Sequence, residues 1–273
     1  MHDLELYDKQ LILAKNKKLL EFIDLTILES VSSTNDYLKT INFTNKIAVC
    51  VAEEQTAGRG RLARHWHSPF GQNIYLSIGF DFPKDISSLV GISLVVGLAT
   101  LNAIKEYGVV ENIKVKWPND IVYDNKKLAG ILIDANAEIN GTCSVIIGIG
   151  LNLNMMDDID VIASNTLKPW TSLKKIIGKT IDKNKMVSLL ISNLVAYIKQ
   201  FELAGLGIFM EQWGSYDYLH GKIITISSDN NTEEGICQGI DQQGRLVLQL
   251  NKGEFKSFAS GDASVKKFRH GPN

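Results

Sequence analysis

Lys46–Ala52 reads KIAVCVA, apolar and largely β-branched, and it runs directly into a polar stretch, Glu53–Ser68, that contains Gly58-Arg59-Gly60-Arg61-Leu62-Ala63-Arg64. A short apolar run without alternation is the pattern of a strand covered on both faces. Such a strand needs sheet neighbours and a helical layer, which commits the chain to an α/β fold. The length of 273 residues leaves room for one large domain and a small one.

The flanking segments supply those neighbours. A short helical pattern spans Leu4 to Leu20, and Phe22–Leu28 is a candidate strand. Ser32-Ser33-Thr34-Asn35-Asp36 resembles a helix N-terminus leading into a short helix through Thr40. Asn73–Phe82 alternates as a strand does, and Ser87–Tyr107 carries a helical pattern closed by Gly108. Ile113–Trp117, Lys127–Ala135 and Ser144–Asn154 are further strands, with turns at Asp124-Asn125-Lys126 and Asn140-Gly141. Met155–Pro169 is acidic and aperiodic, the pattern of an exposed mobile loop, and helices follow from Ser172 to about Leu219. The last fifty residues change character. Lys222–Ser228, Glu234–Ile240, Arg245–Leu250 and Glu254–Ala259 are short strands that suggest a small antiparallel barrel. The expected architecture is α/β (α+β): a mixed-sheet catalytic domain over residues 1–216 and a small β-barrel domain over 217–273.

Charge and cysteine usage narrow the function. The 29 basic and 30 acidic side chains nearly cancel, so no global field holds the chain on nucleic acid or anionic lipid, and any anion site is local. The N-terminus lacks the basic and apolar regions of a signal peptide, and the apolar run near Leu89–Leu101 is too short and broken to span a membrane. A cytoplasmic chain is expected. Cys50, Cys143 and Cys237 lie far apart, which argues against a disulfide framework or a zinc cluster, and His65 and His67 lack a third ligand nearby.

Four segments present chemistry. In Gly58–Arg64, glycines let backbone N–H groups converge on oxygen atoms while arginines offer rigid forks of donors to phosphate or carboxylate. A solvated basic turn, or a contact to an RNA backbone, would look the same. No Walker motif is present. Lys116-Trp117-Pro118-Asn119-Asp120 ends a strand at a proline and presents two polar side chains where α/β sheets collect ligands. A capped structural turn is the alternative. Lys127-Leu128-Ala129-Gly130 sets a lysine at a strand entry beside small residues. Gly148-Ile149-Gly150-Leu151-Asn152 lacks the third glycine and helix of a dinucleotide fingerprint, so its glycines point to close approach by a ligand or neighbouring backbone, with Asn152 available for a base or ribose.

Taken together, SSTN at 32–35, EEQTAGRGR at 53–61, W-x-S-P at 66–69, KWPND at 116–120, KLAGIL at 127–132 and GIGLNLN at 148–154 resemble biotin protein ligases in order and spacing. The resemblance covers nearly the whole chain from about Leu25. It implies a catalytic domain of the biotin/lipoate ligase type and an SH3-like C-terminal domain. It also implies the monofunctional class, since about two dozen residues precede the catalytic domain where repressor members carry a helix-turn-helix. By the resemblance, Ser33, Thr34, Asn35 and Gln55 meet biotin and its ureido ring. Gly58, Arg59, Gly60 and Arg61 belong to the loop that folds over biotin and its adenylate, and Lys127 sits by the biotin carboxylate and α-phosphate. Lys116, Asn119, Asp120, Asn152 and Trp170 match positions associated with phosphate, metal or adenine. Ala63 stands where the family usually has a third glycine.

The implied reaction uses ATP and Mg²⁺ to make biotinyl-5′-AMP and passes biotin to a lysine of a biotin carboxyl carrier protein. Arg61, Lys127 and Asp120 are the expected catalytic residues, with Asp120 as proton acceptor. No dedicated protein metal site is expected, nor DNA or membrane partners, and a homodimer is plausible by resemblance. A lipoate or octanoate transferase shares the scaffold but has a different signature. A nucleic-acid regulator is disfavoured by the near-neutral charge.

Overall fold

The computed structural model describes residues 5–14, 21–43, 46–109, 111–137, 141–156, 169–228, 231–251 and 253–266. Seven strands, β1 (Ile23–Val31), β2 (Ile47–Gln55), β3 (Ile74–Phe82), β4 (Lys114–Lys116), β5 (Asp120–Tyr123), β6 (Lys126–Ala137) and β7 (Cys143–Leu151), form one sheet in the order β1-β2-β3-β7-β6-β5-β4. The β1/β2 pair is parallel and the others are antiparallel, so the sheet is mixed.

Side-chain alternation gives this sheet two different faces. On one face Val49, Val51, Ile74, Leu76, Ile78, Ile147, Ile149 and Ile131 join the main core. On the other, the register sets Tyr75, Gly150 and Gly130 in one row and Ser77 and Gly148 in the next. That face is short of side chains, and the space is filled by groups brought from elsewhere. Its apolar patch is the small cluster Leu38, Ala48, Cys50 and Ile146.

The core face is covered by α3 (Ile92–Tyr107) and α5 (Lys183–Ala204). Gly108 ends α3 at φ +108, as expected, but Ile86–Leu89 forms a separate 3₁₀ turn capped by Asp85. Gly91, at φ +87, breaks the two apart. In α5, Met186, Val187, Leu190, Ile191, Leu194, Ile198 and Phe201 are buried. This is the one described helix long and apolar enough to cross a membrane, and it lies 56% buried against α3 and the sheet. Truncating a residue such as Leu98 or Leu190, both wholly buried, to Ala costs about 2–5 kcal/mol.

Three local differences from the sequence reading have physical causes. β5 was not expected, because Pro118-Asn119-Asp120 reads as a turn; the chain instead re-enters the sheet at Asp120 and reverses through Asp124 and Asn125 at φ +47 and +63 into β6. β7 stops at Leu151, before Asn154, since Asn152 N–H turns to Leu128 O at 3.0 Å. The helix α2 (Thr34–Leu38) ends two residues early, with Ser33 as the cap that accepts from Asp36 N–H. Near the N-terminus only α1 (Lys9–Ala14) is helical among the described residues, and positions 15–20 lie outside them. This segment is strapped to the core: Tyr7 N–H donates to Glu53 Oε1 at 2.7 Å, and Glu53 pairs with the buried Lys183.

Two shorter helices, α4 (Leu173–Ile177) and α6 (Met210–Tyr216), flank α5. Beyond them β8 (Ile223–Ser228), β9 (Asn231–Ile240), β10 (Leu246–Gln249), β11 (Phe255–Phe258) and β12 (Asp262–Val265) form a five-stranded antiparallel sheet in the order β11-β10-β9-β8-β12. β12 escaped the sequence reading, being only four residues long. This sheet is tied to the α/β part by Trp117 Nε1–H to Gly244 O at 3.0 Å and Tyr218 N–H to Val115 O at 2.8 Å.

Candidate functional site

A cavity of roughly 790 Å³ opens on the glycine-bearing face of the sheet. Its walls come from α2, the end of β2, the 58–67 loop, the β4–β5 turn, β6, β7 and the start of β12. Of the residues expected to serve a site, Ser33, Thr34, Asn35, Gln55, Arg59, Gly60, Arg61, Lys116, Asn119, Asp120, Lys127, Asn152 and Trp170 all line it. Gly58 does not. A Cβ there would lie 2.6 Å from Ser68 Oγ and from Trp66 O, so this glycine lets the loop fold tightly on itself.

One end of the cavity is a hydrogen-bonding pocket. Thr34 N–H donates to Gln55 Oε1 at 2.9 Å, and Gln55 Nε2 donates to Ser68 Oγ at 3.1 Å. Asn35 sits against Gly148, where a Cβ would overlap its Oδ1. Beside it the Trp66 ring lies over the cross-strand pair Gly130 and Gly150, and a Cβ at Gly150 would overlap the ring. The glycines of β6 and β7 therefore receive Asn35 and Trp66, the close approach their position in a strand suggested. The Trp66 indole N–H is buried and has no hydrogen-bond partner among the described residues.

The other end is cationic. Lys127 Nζ lies 2.6 Å from Asp120 Oδ1 and 5.1 Å from the centre of the Trp66 ring. Arg61 Nη1 donates to Asn119 Oδ1 at 3.2 Å, and Asn119 is held in turn by its Nδ2 donating to Ile131 O at 2.7 Å. Burial pushes the Arg61 guanidinium below its ordinary value, opposed by the nearby Asp120 and Asp262 carboxylates. Arg59 pairs with Asp36, and Arg64 with Asp262 at 2.8 Å. Each of these four cations thus faces a protein partner that an incoming anion can replace.

The 58–65 loop is folded as a clip. Gly60 N–H donates to Arg64 O at 2.7 Å, Trp66 N–H donates to Gly58 O at 2.9 Å, and Arg59 bridges His65. Its tip holds two non-glycine residues in the left-handed region, Leu62 at φ +56 and Ala63 at φ +55. Ala63 therefore occupies a conformation that favours glycine.

Asn152 and Trp170 close the remaining wall. Asn152 Nδ2 donates to Thr171 O at 3.0 Å, while Lys127 N–H donates to Pro169 O at 2.8 Å, so the 169–173 segment is stitched to the entry of β6. Trp170 stands 3.8 Å under Lys175 Nζ. The expected loop at Met155–Pro169 falls largely on residues 157–168, outside the described residues. The sequence reading gave no site role to Asp262, which lines the cavity, or to Asp36, Ser77 and Asp134, which contact the lining residues Arg59, Thr34 and Asn35 from behind. Ser77 and Asp134 were visible as lone polar residues inside apolar strands, whereas Asp36 had been assigned to helix capping and Asp262 lies outside the motifs.

A pocket with one hydrogen-bonding end and one cationic end accommodates a ligand with a polar part and an anionic part. Comparisons with known proteins agree. Residues 27–152 match the Biotin/lipoate A/B protein ligase family, and residues 219–266 match the Biotin protein ligase C terminal domain. The bifunctional ligase/repressor BirA of Escherichia coli K12 is 32% identical over 89% of this chain and 74% of its own length. The biotin--[acetyl-CoA-carboxylase] ligase of Mycobacterium tuberculosis is 33% identical over 74% of this chain and 73% of its own. A biotin protein ligase from Aquifex aeolicus, solved in complex with biotin and ATP, superposes with a TM-score of 0.77 at 27% identity, over 89% of this chain and 99% of that one. On sequence, domain content and fold together, the chain belongs to the biotin protein ligase family.

Proposed function

We propose that this chain is an ATP-dependent biotin protein ligase. It joins the biotin carboxylate to the α-phosphorus of ATP, releasing pyrophosphate and forming biotinyl-5′-AMP. It then transfers the biotinyl group to the ε-amine of a lysine on a biotin carboxyl carrier domain, as of acetyl-CoA carboxylase, and releases AMP. The observation that carries this reading is the cavity itself, in which the Thr34/Asn35/Gln55 end and the Arg61/Lys127 end are joined along β6 and β7.

The residues divide the work. Ser33, Thr34, Asn35 and Gln55 receive the ureido head, and Trp66 and Leu132 offer apolar surface to the body of biotin. Two anions must meet in the first step, and Arg59, Arg61 and Lys127 offset their repulsion. When Lys127 turns from Asp120 to those oxygens, the Asp120 carboxylate is released to accept the proton of the attacking lysine in the second step. Gly58 and Gly60 set the shape of the clip, Asn119 holds Arg61, and Lys116, Asn152 and Trp170 form the nucleotide wall. The clip excludes water from the mixed anhydride, which would otherwise hydrolyse.

Among the described residues no three His, Cys, Asp or Glu side chains converge on one point. The acids lining the cavity, Asp120 and Asp262, already face Lys127 and Arg64. This donor set suits Mg²⁺ carried on the ATP phosphates, where the ion would neutralise the departing pyrophosphate, with Asp120 as the protein carboxylate nearest to hand. We place the domain boundary at residue 217, give the C-terminal sheet an SH3-like character, and assign the enzyme to the cytoplasm; the family resemblance implies a homodimer. The direct test mixes the chain with biotin, Mg-ATP and a carrier domain. An ATP-dependent mass increase of one biotinyl group on the carrier lysine is expected. Transfer of a lipoyl or octanoyl group in its place would leave the scaffold right and the substrate wrong.

A further inference from the structure

Arg61 and Lys127, two of the cations that meet the reacting anions, are both held by side chains of one short turn. Asp120 Oδ1 lies 2.6 Å from Lys127 Nζ, and Asn119 Oδ1 accepts from Arg61 Nη1 at 3.2 Å. The place of the β4–β5 turn therefore sets the place of both cations. Neighbouring elements secure that turn. Ser93 Oγ on α3 donates to Pro118 O at 3.0 Å, and Ile131 N–H on β6 donates to Asn119 O at 2.9 Å. A further hold comes from the other sheet, where the buried Trp117 donates its indole N–H to Gly244 O at 3.0 Å.

Gly244 lies in the turn between β9 and β10, and that turn is bonded into one shape. Asp241 Oδ1 accepts from Gln243 N–H at 3.0 Å and from Arg245 N–H at 2.9 Å, while Asp241 Oδ2 accepts from Arg245 Nε–H at 2.7 Å. Gly244 N–H closes the turn on Asp241 O at 2.8 Å. Gly244 has φ +70, and a Cβ there would lie 3.0 Å from Leu94 and 3.1 Å from Leu206, so the turn is seated tightly against α3 and the segment that follows α5. Its carbonyl is thus a fixed point. The indole N–H can only donate, and leaving either buried partner without the other carries a desolvation cost, so Trp117 has one favoured position against the second sheet.

We propose that Trp117 is a positioning residue, and that the Asp241–Arg245 turn of the C-terminal sheet acts through it to hold Asn119 and Asp120 where they set the cationic end of the cavity. The inference rests on the proposed function and gives the second sheet a part in both chemical steps. Arg61 and Lys127 meet the anions in the first, and Asp120 accepts a proton in the second. The same sheet also holds Arg64 of the clip through Asp262.

The test uses Trp117→Phe, which keeps an aromatic ring and removes the donor, and Gly244→Ala, which crowds the seat of the turn, both in the full chain and well below the Tm of each variant. Each should slow transfer from preformed biotinyl-AMP to the carrier roughly two- to tenfold, the equivalent of one hydrogen bond. In an Asp120→Asn background, Trp117→Phe should change transfer by less than about twofold, because the group it positions is already gone. A role in folding alone would lower Tm and leave the rates unchanged, or slow transfer by the same factor in both backgrounds, and either result would overturn the inference. Slowing by Trp117→Phe with none in a folded Gly244→Ala would place the hold inside the α/β part and overturn it too; should Gly244→Ala not fold, the Trp117 cycle decides alone. No pyrophosphate exchange and no transfer by the unaltered chain would overturn the proposed function, whereas normal activity there with additive effects in the variants overturns this inference alone.

Discussion

Arg64, in the clip that closes the cavity, donates from Nη2 to Asp262 Oδ2 at 2.8 Å, a contact between residues 198 positions apart. Asp262 opens β12, and with Gly261 it makes the C-terminal sheet part of the cavity wall. The clip is thus anchored at its start by Arg59 to Asp36 and at its end by Arg64 to the second sheet. Arg64 and Asp262 are 55% and 28% exposed, so the pair contributes at most about 1 kcal/mol. Asp262→Ala should therefore release biotinyl-AMP up to about fivefold faster, leave the rate of adenylate formation within twofold, and lower Tm little. Quench-flow detection of free adenylate measures this, and unchanged release would remove the anchoring role.

Arg61 sits deeper, bonded to Asn119, and burial already disfavours its charge. An anion at that point replaces the neutral Asn119 acceptor with a charged one, and a guanidinium bond to a charged group contributes about 1.5–3 kcal/mol. Arg61→Ala should speed adenylate escape by tenfold or more while adenylate still forms. Single-turnover assays without carrier distinguish escape from failed synthesis, and retention equal to that of the unaltered chain would assign the loop another purpose.

Ala63, at φ +55, bears the cost of an L-residue in the left-handed region. Ala63→Gly removes about 1–2 kcal/mol of local strain against an unfolded-state entropy cost of about 0.4–1 kcal/mol. The net expectation is a Tm unchanged or raised by up to about 3 °C, with no loss of biotin transfer. A clear fall in Tm would mean that the clip does not hold this geometry in solution.

How much of this was legible in the sequence depended on the range of the interaction. The Gly-Arg clip, the KWPND strand end and the Ser33 cap are local patterns, and local patterns carry their own structural reason. A sheet covered on both faces also followed, because Ile47–Ala52 has no polar residue to face water. What was hidden is what other segments bring. The pairing of Ser77 with Gly148 is a matter of register between β3 and β7, and Arg64 to Asp262 crosses almost the whole chain. Asn152 combines the two ranges: it lines the cavity beside Trp170, as the motif placed it, and its amide nitrogen also donates to Thr171 O at 3.0 Å, a contact the motif did not announce.

The three cysteines are buried, and burial pushes the Cys50 and Cys237 thiols up to about 12. At pH 8 only about one such thiol in ten thousand is ionised, and the thiolate is the reactive form. The folded chain should resist iodoacetamide at pH 8 and take up three equivalents after denaturation. Rapid alkylation of native Cys50 or Cys237 would contradict the buried placement.

Asp120 separates the two chemical steps. Its Oδ1 lies 2.6 Å from Lys127 Nζ, so the carboxylate is held by a cation until that cation is drawn to substrate. Asp120→Asn keeps the size of the side chain and removes both the charge and the proton acceptor. Lys127 is then free earlier, and the first step, followed as biotin-dependent exchange of pyrophosphate into ATP, should change by less than about tenfold. The second step needs the acceptor lysine deprotonated, and losing a general base costs about 10²–10⁴ in rate. Transfer from preformed adenylate to the carrier should slow accordingly at neutral pH, and raising the pH should recover part of the rate by deprotonating the carrier lysine in solution. Equal slowing of both steps would make Asp120 a partner of Lys127 only, and unimpaired transfer would place the proton acceptor elsewhere in the cavity.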